Sequence, residues 1–436
     1  MTRDPASIDS EYSSYGSKLK NCYYTFGGDN AENTMFSIWP MNTKNSLDLL
    51  ISVNTDLCQE GVYPENCYNC NFVYFSGDCL DCNFIYDCRN CNDCFGCVNL
   101  RNKKYCIFNI QYNKEDYFGK IKEYNLGNKE ELRKNKDKLE KLIYTLPVRA
   151  TRNEHSENVL GNYLIGSKNC FNTNWAMHSD NLNYTDFVMR QKDSYDCTIS
   201  ASSEKIYGTS AVSRNCFNVK FSVYGRDLRD CEYTINCKNC QYCFGCIGLE
   251  NAKFCIFNKQ YTEEEYWKQV DDIKTKMLED GEYGEFFPLS MSPFPYNASL
   301  SNIIYPISKE KVIELGGWWY DEETNIPEGM KLLKIDEIES DIKNITDDIL
   351  NIGILSERNG KPYRIVKEEL EFYRRKNIAI PTLTPYERII DRFKYVNNFK
   401  VFKDKCFKCR AEILSSYATS DGFKPYCDDC YKKEIY

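Results

Sequence analysis

From Ser17 to Tyr112 the sequence repeats every twelve residues through eight copies without insertion or deletion. The second position reads Lys18, Asn30, Asn42, Asn54, Asn66, Asp78, Asn90, Asn102, and the fifth reads Asn21, Asn33, Asn45, Leu57, Asn69, Asp81, Asp93, Tyr105. The sixth holds Cys22, Thr34, Ser46, Cys58, Cys70, Cys82, Cys94, Cys106, and the tenth is apolar throughout, from Phe26 and Ile38 to Val98 and Ile110. Fixed-period self-similarity means units that stack, each covering the face its neighbour leaves open. The expected fold is therefore a mainly β chain built on a β-solenoid rather than a globule.

Each copy has two halves. Asn and Asp tolerate the left-handed backbone of sharp corners, so the second and fifth columns predict a turn. Positions seven to eleven, such as Asn71-Phe-Val-Tyr-Phe75, predict the strand. Two copies closing a coil of 24 residues would give the bulky tenth column room inside; a flat coil of 12 lined by small residues is the alternative.

The first region is then copied. Cys237 to Tyr261 repeats Cys88 to Tyr112 at an offset of 149. Walking back, copies begin at Arg226, Arg214, Glu204, Lys192, Asp180 and Lys168, with the copy at Glu204 two residues short and a sixth column of Thr173, Thr185, Cys197, Thr209, Val219, Cys231, Cys243 and Cys255. Each solenoid leads into a helical segment, the first capped by Asn113 with Asp116 at its third position, the second by the capping box Thr262-Glu-Glu-Glu265. The expected organisation is a first solenoid over 1–112, a helical connector over 113–150, a second solenoid over 151–261, a helix within 262–283, an extended linker over 284–358 and a basic segment with a zinc ribbon over 359–436. In the linker, the adjacent Trp318 and Trp319 are expected to bury a junction, and Ser308 to cap a short helix.

Twenty-four cysteines would suit a disulfide-rich secreted chain, but the polar start Met1 to Ser10 has no export signal, and no apolar run reaches membrane-spanning length. The expectation is a cytoplasmic protein, with no membrane partner, whose cysteines are thiols or metal ligands. Within the repeats, Cys67-x-x-Cys70, Cys79-x-x-Cys82, Cys91-x-x-Cys94 and Cys240-x-x-Cys243 have knuckle spacing. Their columns also accept Ser, Thr, Val or Leu, which fits a ladder of small packed side chains better than a metal site. The strongest metal candidates among them are Cys88, Cys91, Cys94 and Cys97, with Cys237, Cys240, Cys243 and Cys246; on an extended strand, though, successive cysteines of such a run would face opposite sides.

The C-terminal segment carries the specific chemical signal. Cys406-Phe-Lys-Cys409 and Cys427-Asp-Asp-Cys430, with 17 residues between them, have the two-knuckle spacing of a zinc ribbon, in which four thiolates close a tetrahedral site. Such a site has no open position, so Zn would be structural. Lys403, Lys405, Lys408 and Arg410 offset thiolate charge. Net charge is −8 overall but +6 over Lys361 to Tyr436 (17 Lys and Arg against 11 Asp and Glu), which leaves −14 for the rest. An acidic body discourages polyanions, whereas the tail, with Arg374-Arg-Lys376 and a helix capped by Thr384 that carries Arg388, Arg392 and Lys394, could meet nucleic-acid phosphates.

Cys94 to Asn109, its second copy, and the ending Tyr426 to Tyr436 resemble a family of uncharacterised zinc-ribbon proteins with cysteine-rich repeats from candidate-phyla (patescibacterial) bacteria. The resemblance extends over Asn359 to Ile365, Glu371 to Arg375 and Ile378 to Pro381. It implies a zinc-ribbon protein of unassigned activity; a name borrowed from CoA transferases, carried by some members, finds no support in these residues. Many members have cysteines of an additional upstream ribbon where this chain has Ser356 and the cysteine-free Leu383 to Arg388.

No catalytic or cofactor-binding residue is assigned. The two histidines, His155 and His178, have no obvious nucleophile partner in sequence, and Arg214, Arg226, Arg229, Asp227 and Asp230 read as charge on turns. The resulting expectation is a non-enzymatic binding or scaffolding module with an unidentified protein partner. Nucleic-acid binding through the C-terminal segment is the alternative, and a solenoid enzyme acting on a saccharide the distant one.

Overall fold

The structure, a computed structural model, describes residues 6–212, 214–321, 326, 328–396 and 401–436. It is mainly strand, with few helices and a C-terminal cysteine cluster. In the first repeat region the strands Ile38–Met41, Leu47–Val53, Gln59–Val62, Asn71–Tyr74, Asn83–Tyr86, Asn92–Phe95 and Lys104–Ile107 pair in sequence order and in parallel. Each residue's partner lies twelve further on: Ile38 with Leu50, Leu50 with Val62, Val62 with Tyr74, Tyr74 with Tyr86. One copy therefore makes one layer, and the expected coil of 24 is corrected to 12. Pairing also begins earlier than the visible repeat, with Ile8 on Lys20 and Glu11 on Tyr23.

A twelve-residue layer closes because every third residue turns a corner. Asn30 and Asn33 have the left-handed φ expected of the second and fifth columns, at 55° and 48°. Phe36 and Trp39, in the eighth and eleventh columns, are left-handed too, at 53° and 51°, and the pattern recurs at Phe72, Phe75 and Phe84. Bulky side chains in this region of backbone space are strained, so the pairing above and below must hold them there. The predicted strand is thus a pairing segment with a corner inside it.

The residue after each corner joins the inner core. Leu49, Cys58, Cys67, Cys70, Val73, Cys79, Cys82 and Ile85, from the third, sixth and ninth columns, form one buried cluster with Cys88, Cys91, Cys94, Cys97 and Cys106. The tenth column is absent from that cluster. It is covered from outside, as where Tyr74 stacks on Tyr395 with ring centroids 4.1 Å apart. A layer with three-residue sides has room inside for nothing larger than an aliphatic side chain such as Leu49 or Ile85, which explains the many Cys, Ser and Thr of the inner columns.

Asn109 closes the last layer by imitating another one, since its Nδ2 donates to Val98 O and its Oδ1 accepts from Val98 N, both at 2.9 Å. Asn258 does the same to Ile247 at 2.9 and 2.8 Å in the second region. The helices Lys114–Lys120 and Glu263–Glu279 follow, capped by Asn113 and Thr262 as expected, and bury Tyr117 and Tyr266, again 149 residues apart.

The second region runs from Glu157–Ile165 to Lys253–Ile256. Lys192 pairs with Glu204 at an offset of 12, Glu204 with Phe217 at 13, and Phe217 with Arg229 at 12. The copy at Glu204 is one residue long, not two short. The two readings differ by three residues, one side of the four-sided layer, so a triplet pattern accepts either. Val219 accordingly stacks between Ile206 and Cys231, while Thr209 shares a column with Ser222.

Two compact units emerge, 1–148 with 321–398 and 419–436, and 149–320 with 399–418. In the first, the helix Pro385–Tyr395 lies on the repeat layers through buried ion pairs. Arg388 Nη1 donates to Asp48 Oδ2 at 2.8 Å, to Glu369 Oε1 at 3.0 Å and to the Tyr373 hydroxyl at 2.9 Å, and Arg392 Nη1 donates to Asp48 Oδ1 at 2.8 Å. The acidic stretch 336–355 is not a bare linker: Ile335, Ile338, Ile342, Ile345 and Ile349 are all buried on successive short turns. In the second unit Trp318 is 46 % exposed, which corrects its expected burial. Among the described residues, no helix is long and apolar enough to cross a membrane.

Candidate metal centre

The antiparallel strands Phe402–Lys405 and Glu412–Ser415 bring Cys406 and Cys409 onto one tight turn, in which Cys406 N donates to Ala411 O and Arg410 N to Cys406 O, both at 2.9 Å. Arg410 takes a left-handed φ of 65°, reversing the chain beside the thiols. The strand Lys424–Tyr426 delivers Cys427 to the N-terminus of the helix Asp428–Ile435, whose first turn carries Cys430. All four sulfurs lie within 4.8 Å of one another. A tetrahedral ion with metal–sulfur bonds of about 2.3 Å needs sulfurs about 3.8 Å apart, so a small inward movement would complete a cage. The group could hold a metal ion, and with four thiolates no position would remain for substrate.

Among the described residues, no other group of three or more His, Cys, Asp or Glu side chains converges in this way. Cys88, Cys91, Cys94 and Cys97 do not alternate between faces as expected of an extended strand. With a corner in every triplet, all four point into the core. Their thiols donate to carbonyls instead, Cys88 Sγ to Tyr86 O at 3.6 Å and Cys97 O at 3.5 Å, and Cys91 Sγ to Arg89 O at 3.4 Å. Burial pushes the Cys197 and Cys237 thiols up to about 11, so at neutral pH these two are protonated donors.

A second turn repeats the geometry of the first without cysteine. Ser356 N donates to Lys361 O at 3.0 Å and Gly360 N to Ser356 O at 2.9 Å, with Gly360 left-handed at 70° where Arg410 is. Ser356 and Asn359 occupy the places of Cys406 and Cys409. Thr384 and Glu387, at the cap and third position of their helix, occupy those of Cys427 and Cys430. In place of sulfur, Glu387 Oε2 accepts from Ser356 Oγ at 2.6 Å and from Thr384 Oγ1 at 3.0 Å.

No family model and no curated protein matches the chain. A solved structure from Desulfovibrio desulfuricans G20, named an acetyltransferase, is similar over 62 % of this chain and 80 % of that one, at 9 % identity and a TM-score of 0.11. A likeness at that level carries no argument about activity.

The other sequence candidates fall at corners and in pairs. His155 and His178 are exposed corner residues with left-handed φ of 51°. Asp227 and Asp230 accept from Asn215 and Asn218 of the neighbouring layer at 3.1 and 2.6 Å, with Arg226 and Arg229 beside them. Arg388 and Arg392 are buried, and Arg374 pairs with Asp347, so three of the basic residues expected to face a polyanion are engaged within the fold. The partners Asp48, Glu369 and Tyr373 were not legible as a site, because nothing in the sequence ties an eighth-column corner to a helix some 340 residues later.

Proposed function

We propose that the chain is a binding or scaffolding module, in which two β-solenoids of twelve-residue coils display outward columns to a protein partner and a structural zinc ion closes the C-terminal ribbon. The observation that carries it is the use of inward groups: cysteine thiols serve as packed hydrogen-bond donors, leaving the outward columns and corners to offer to a partner. A reducing cytoplasm suits a chain so dependent on thiols, and the resemblance to the patescibacterial zinc-ribbon family fits the same reading. The first test is metal content after anaerobic purification. About one zinc per chain is expected for a single four-thiolate site, falling to none in Cys406→Ser with Cys430→Ser; three or more would mean that the repeat cysteines are sites. The second is a photo-crosslinker at Tyr184 or Tyr195, both exposed, which should give discrete protein adducts in cells. A smear or nothing from both positions would remove the scaffold.

A nucleic-acid reading has one observation in its favour: Phe402 and Phe407 are exposed on the ribbon hairpin beside Lys403, Lys405 and Arg410. Exposed rings and cations together suit single strands. Binding of a labelled oligouridine that weakens at least about tenfold between 50 and 200 mM salt would support it.

A further inference from the structure

We propose that the outward face of the second repeat region around Asp196 docks an amphipathic helix of a partner protein, one that carries two arginines a single turn apart on its buried side. This deepens the reading of the chain as a binding module and rests on it. The duplication supplies the template. Four layers before Phe95 in the first region stands Leu47, and four layers before its copy Phe244 in the second stands Tyr195. The corner residues that follow them, Asp48 and Asp196, are therefore equivalent, as are Phe36 and Tyr184 one layer earlier. All four are left-handed, with φ of 58° and 51° for the aspartates and 53° and 51° for the rings, so each pair leaves its layer in the same direction.

In the first unit the chain covers this face itself. The Arg388 guanidinium lies 4.6 Å from the centre of the Phe36 ring, Arg392 Nη2 donates to Phe36 O at 2.9 Å, and both arginines donate to Asp48. Phe36 and Leu47 are left 2 % and 1 % exposed. In the second unit the chain after the repeats covers the face only as far as Phe221 and Tyr233, which meet the Tyr283 ring at 6.0 and 6.3 Å. From Phe221 the rings continue through Tyr207 and Tyr195 to Tyr184, with centroids 5.2, 5.7 and 5.3 Å apart. Tyr184 is 51 % exposed and Tyr195 40 %. Partial burial pushes the Asp196 carboxyl up, with no cation or hydrogen bond to oppose it. A row of exposed rings beside an uncompensated carboxylate is what Phe36, Leu47 and Asp48 would present without their helix. The matching occupant lays one guanidinium over Tyr184 and on Asp196, and apolar side chains of the same helix face on Tyr195. Arginine suits this place better than lysine, because its planar fork can stack on a ring and pair with a carboxylate at once.

The test uses the full chain and, as probe, a fluorescein-labelled peptide of the chain's own covering helix, Thr384 to Val396, which carries Arg388 and Arg392 at this spacing. Fluorescence anisotropy should show saturable binding, weakened at least about tenfold by Asp196→Asn, which removes one member of a charged pair. Asparagine tolerates the corner backbone, and Lys18 and Lys205 hold corners of the same kind, so Asp196→Lys is also accommodated. A peptide with Arg388→Glu and Arg392→Glu should bind the Asp196→Lys chain more tightly than it binds wild type. Absence of saturable binding, or binding undiminished by Asp196→Asn, would overturn the proposal. So would a concentration-dependent dimer that Asp196→Lys dissolves, since the occupant of the face would then be a second copy of the chain. If Tyr184 gives discrete protein adducts in cells while the peptide fails, the binding-module reading stands and the helix inference alone falls.

Discussion

An inner side chain in the repeats does three jobs at once. Cys70 fills its place in the core, accepts from Cys82 N at 3.4 Å, and donates to Tyr68 O at 3.2 Å and Cys79 O at 3.4 Å. Ser46 does the same with oxygen, accepting from Cys58 N at 3.0 Å and donating to Lys44 O at 2.6 Å. Ser, Thr and Cys are interchangeable in these columns because each both donates and accepts from the first atom beyond Cβ. Cys70→Ser should therefore change unfolding free energy by less than about 1 kcal/mol, whereas Cys70→Ala, which strands a buried N–H, should lose about 1–3 kcal/mol in urea denaturation. The thiols also set an alkaline limit. Burial raises Cys197 from 9.0 to about 11, so the folded state holds a proton that the unfolded state releases. Stability is fully present below pH 9 and falls as pH rises from about 9 to 11, by on the order of 2 kcal/mol for this thiol. Melting curves from pH 7 to 11 should show that fall, and Cys197→Ser should make it shallower.

Sequence spoke most clearly at the scale of one layer. The period, the asparagine corners and the caps at Asn113, Thr262, Ser308 and Thr384 all rest on local backbone preference, which short stretches carry in full. Two of the four corners escaped notice because Phe, Trp and Ile have no intrinsic liking for left-handed backbone; only the layers above and below put Phe36, Trp39 and Ile51 there. The end caps Asn109 and Asn258 also look like ordinary repeat residues until their side chains are seen acting as a further layer. Asn258 lets this be tested without disturbing the core. Asn258→Ala should lose both bonds to Ile247 for about 1–2 kcal/mol, with hydrogen exchange quickening first at Ile247 and in the adjoining layer. Uniform loosening of the second region would instead mean that the cap is incidental.

Across the molecule, the last hundred residues return to the first hundred in ways no local signal announces. Arg392 reaches Asp48, and the fully buried Tyr431 donates from its hydroxyl to Asn99 Oδ1 at 2.9 Å. Burying Arg388 and Arg392 around one carboxylate makes that contact intolerant of half measures. Arg388→Met leaves Asp48 with Arg392 alone and Glu369 with only the Tyr373 hydroxyl and the Val366 N–H, and should cost about 3–5 kcal/mol. The two cysteine-type turns offer a sharper comparison, because they share a hydrogen-bond pattern and differ in what closes them. At Ser356 the closure is the Glu387 carboxylate with two hydroxyls; at Cys406 it is four sulfurs that would repel as thiolates without a cation between them. Removing metal from the intact chain with a strong chelator should therefore release the amides of Cys406 and Arg410 to exchange while those of Ser356 and Gly360 stay protected. Far-ultraviolet circular dichroism of the repeats should hardly change. Equal protection at both turns after chelation would mean that the four cysteines pack as thiols without a metal, as the repeat cysteines do, and loss at both would mean that one ion supports the entire C-terminal third.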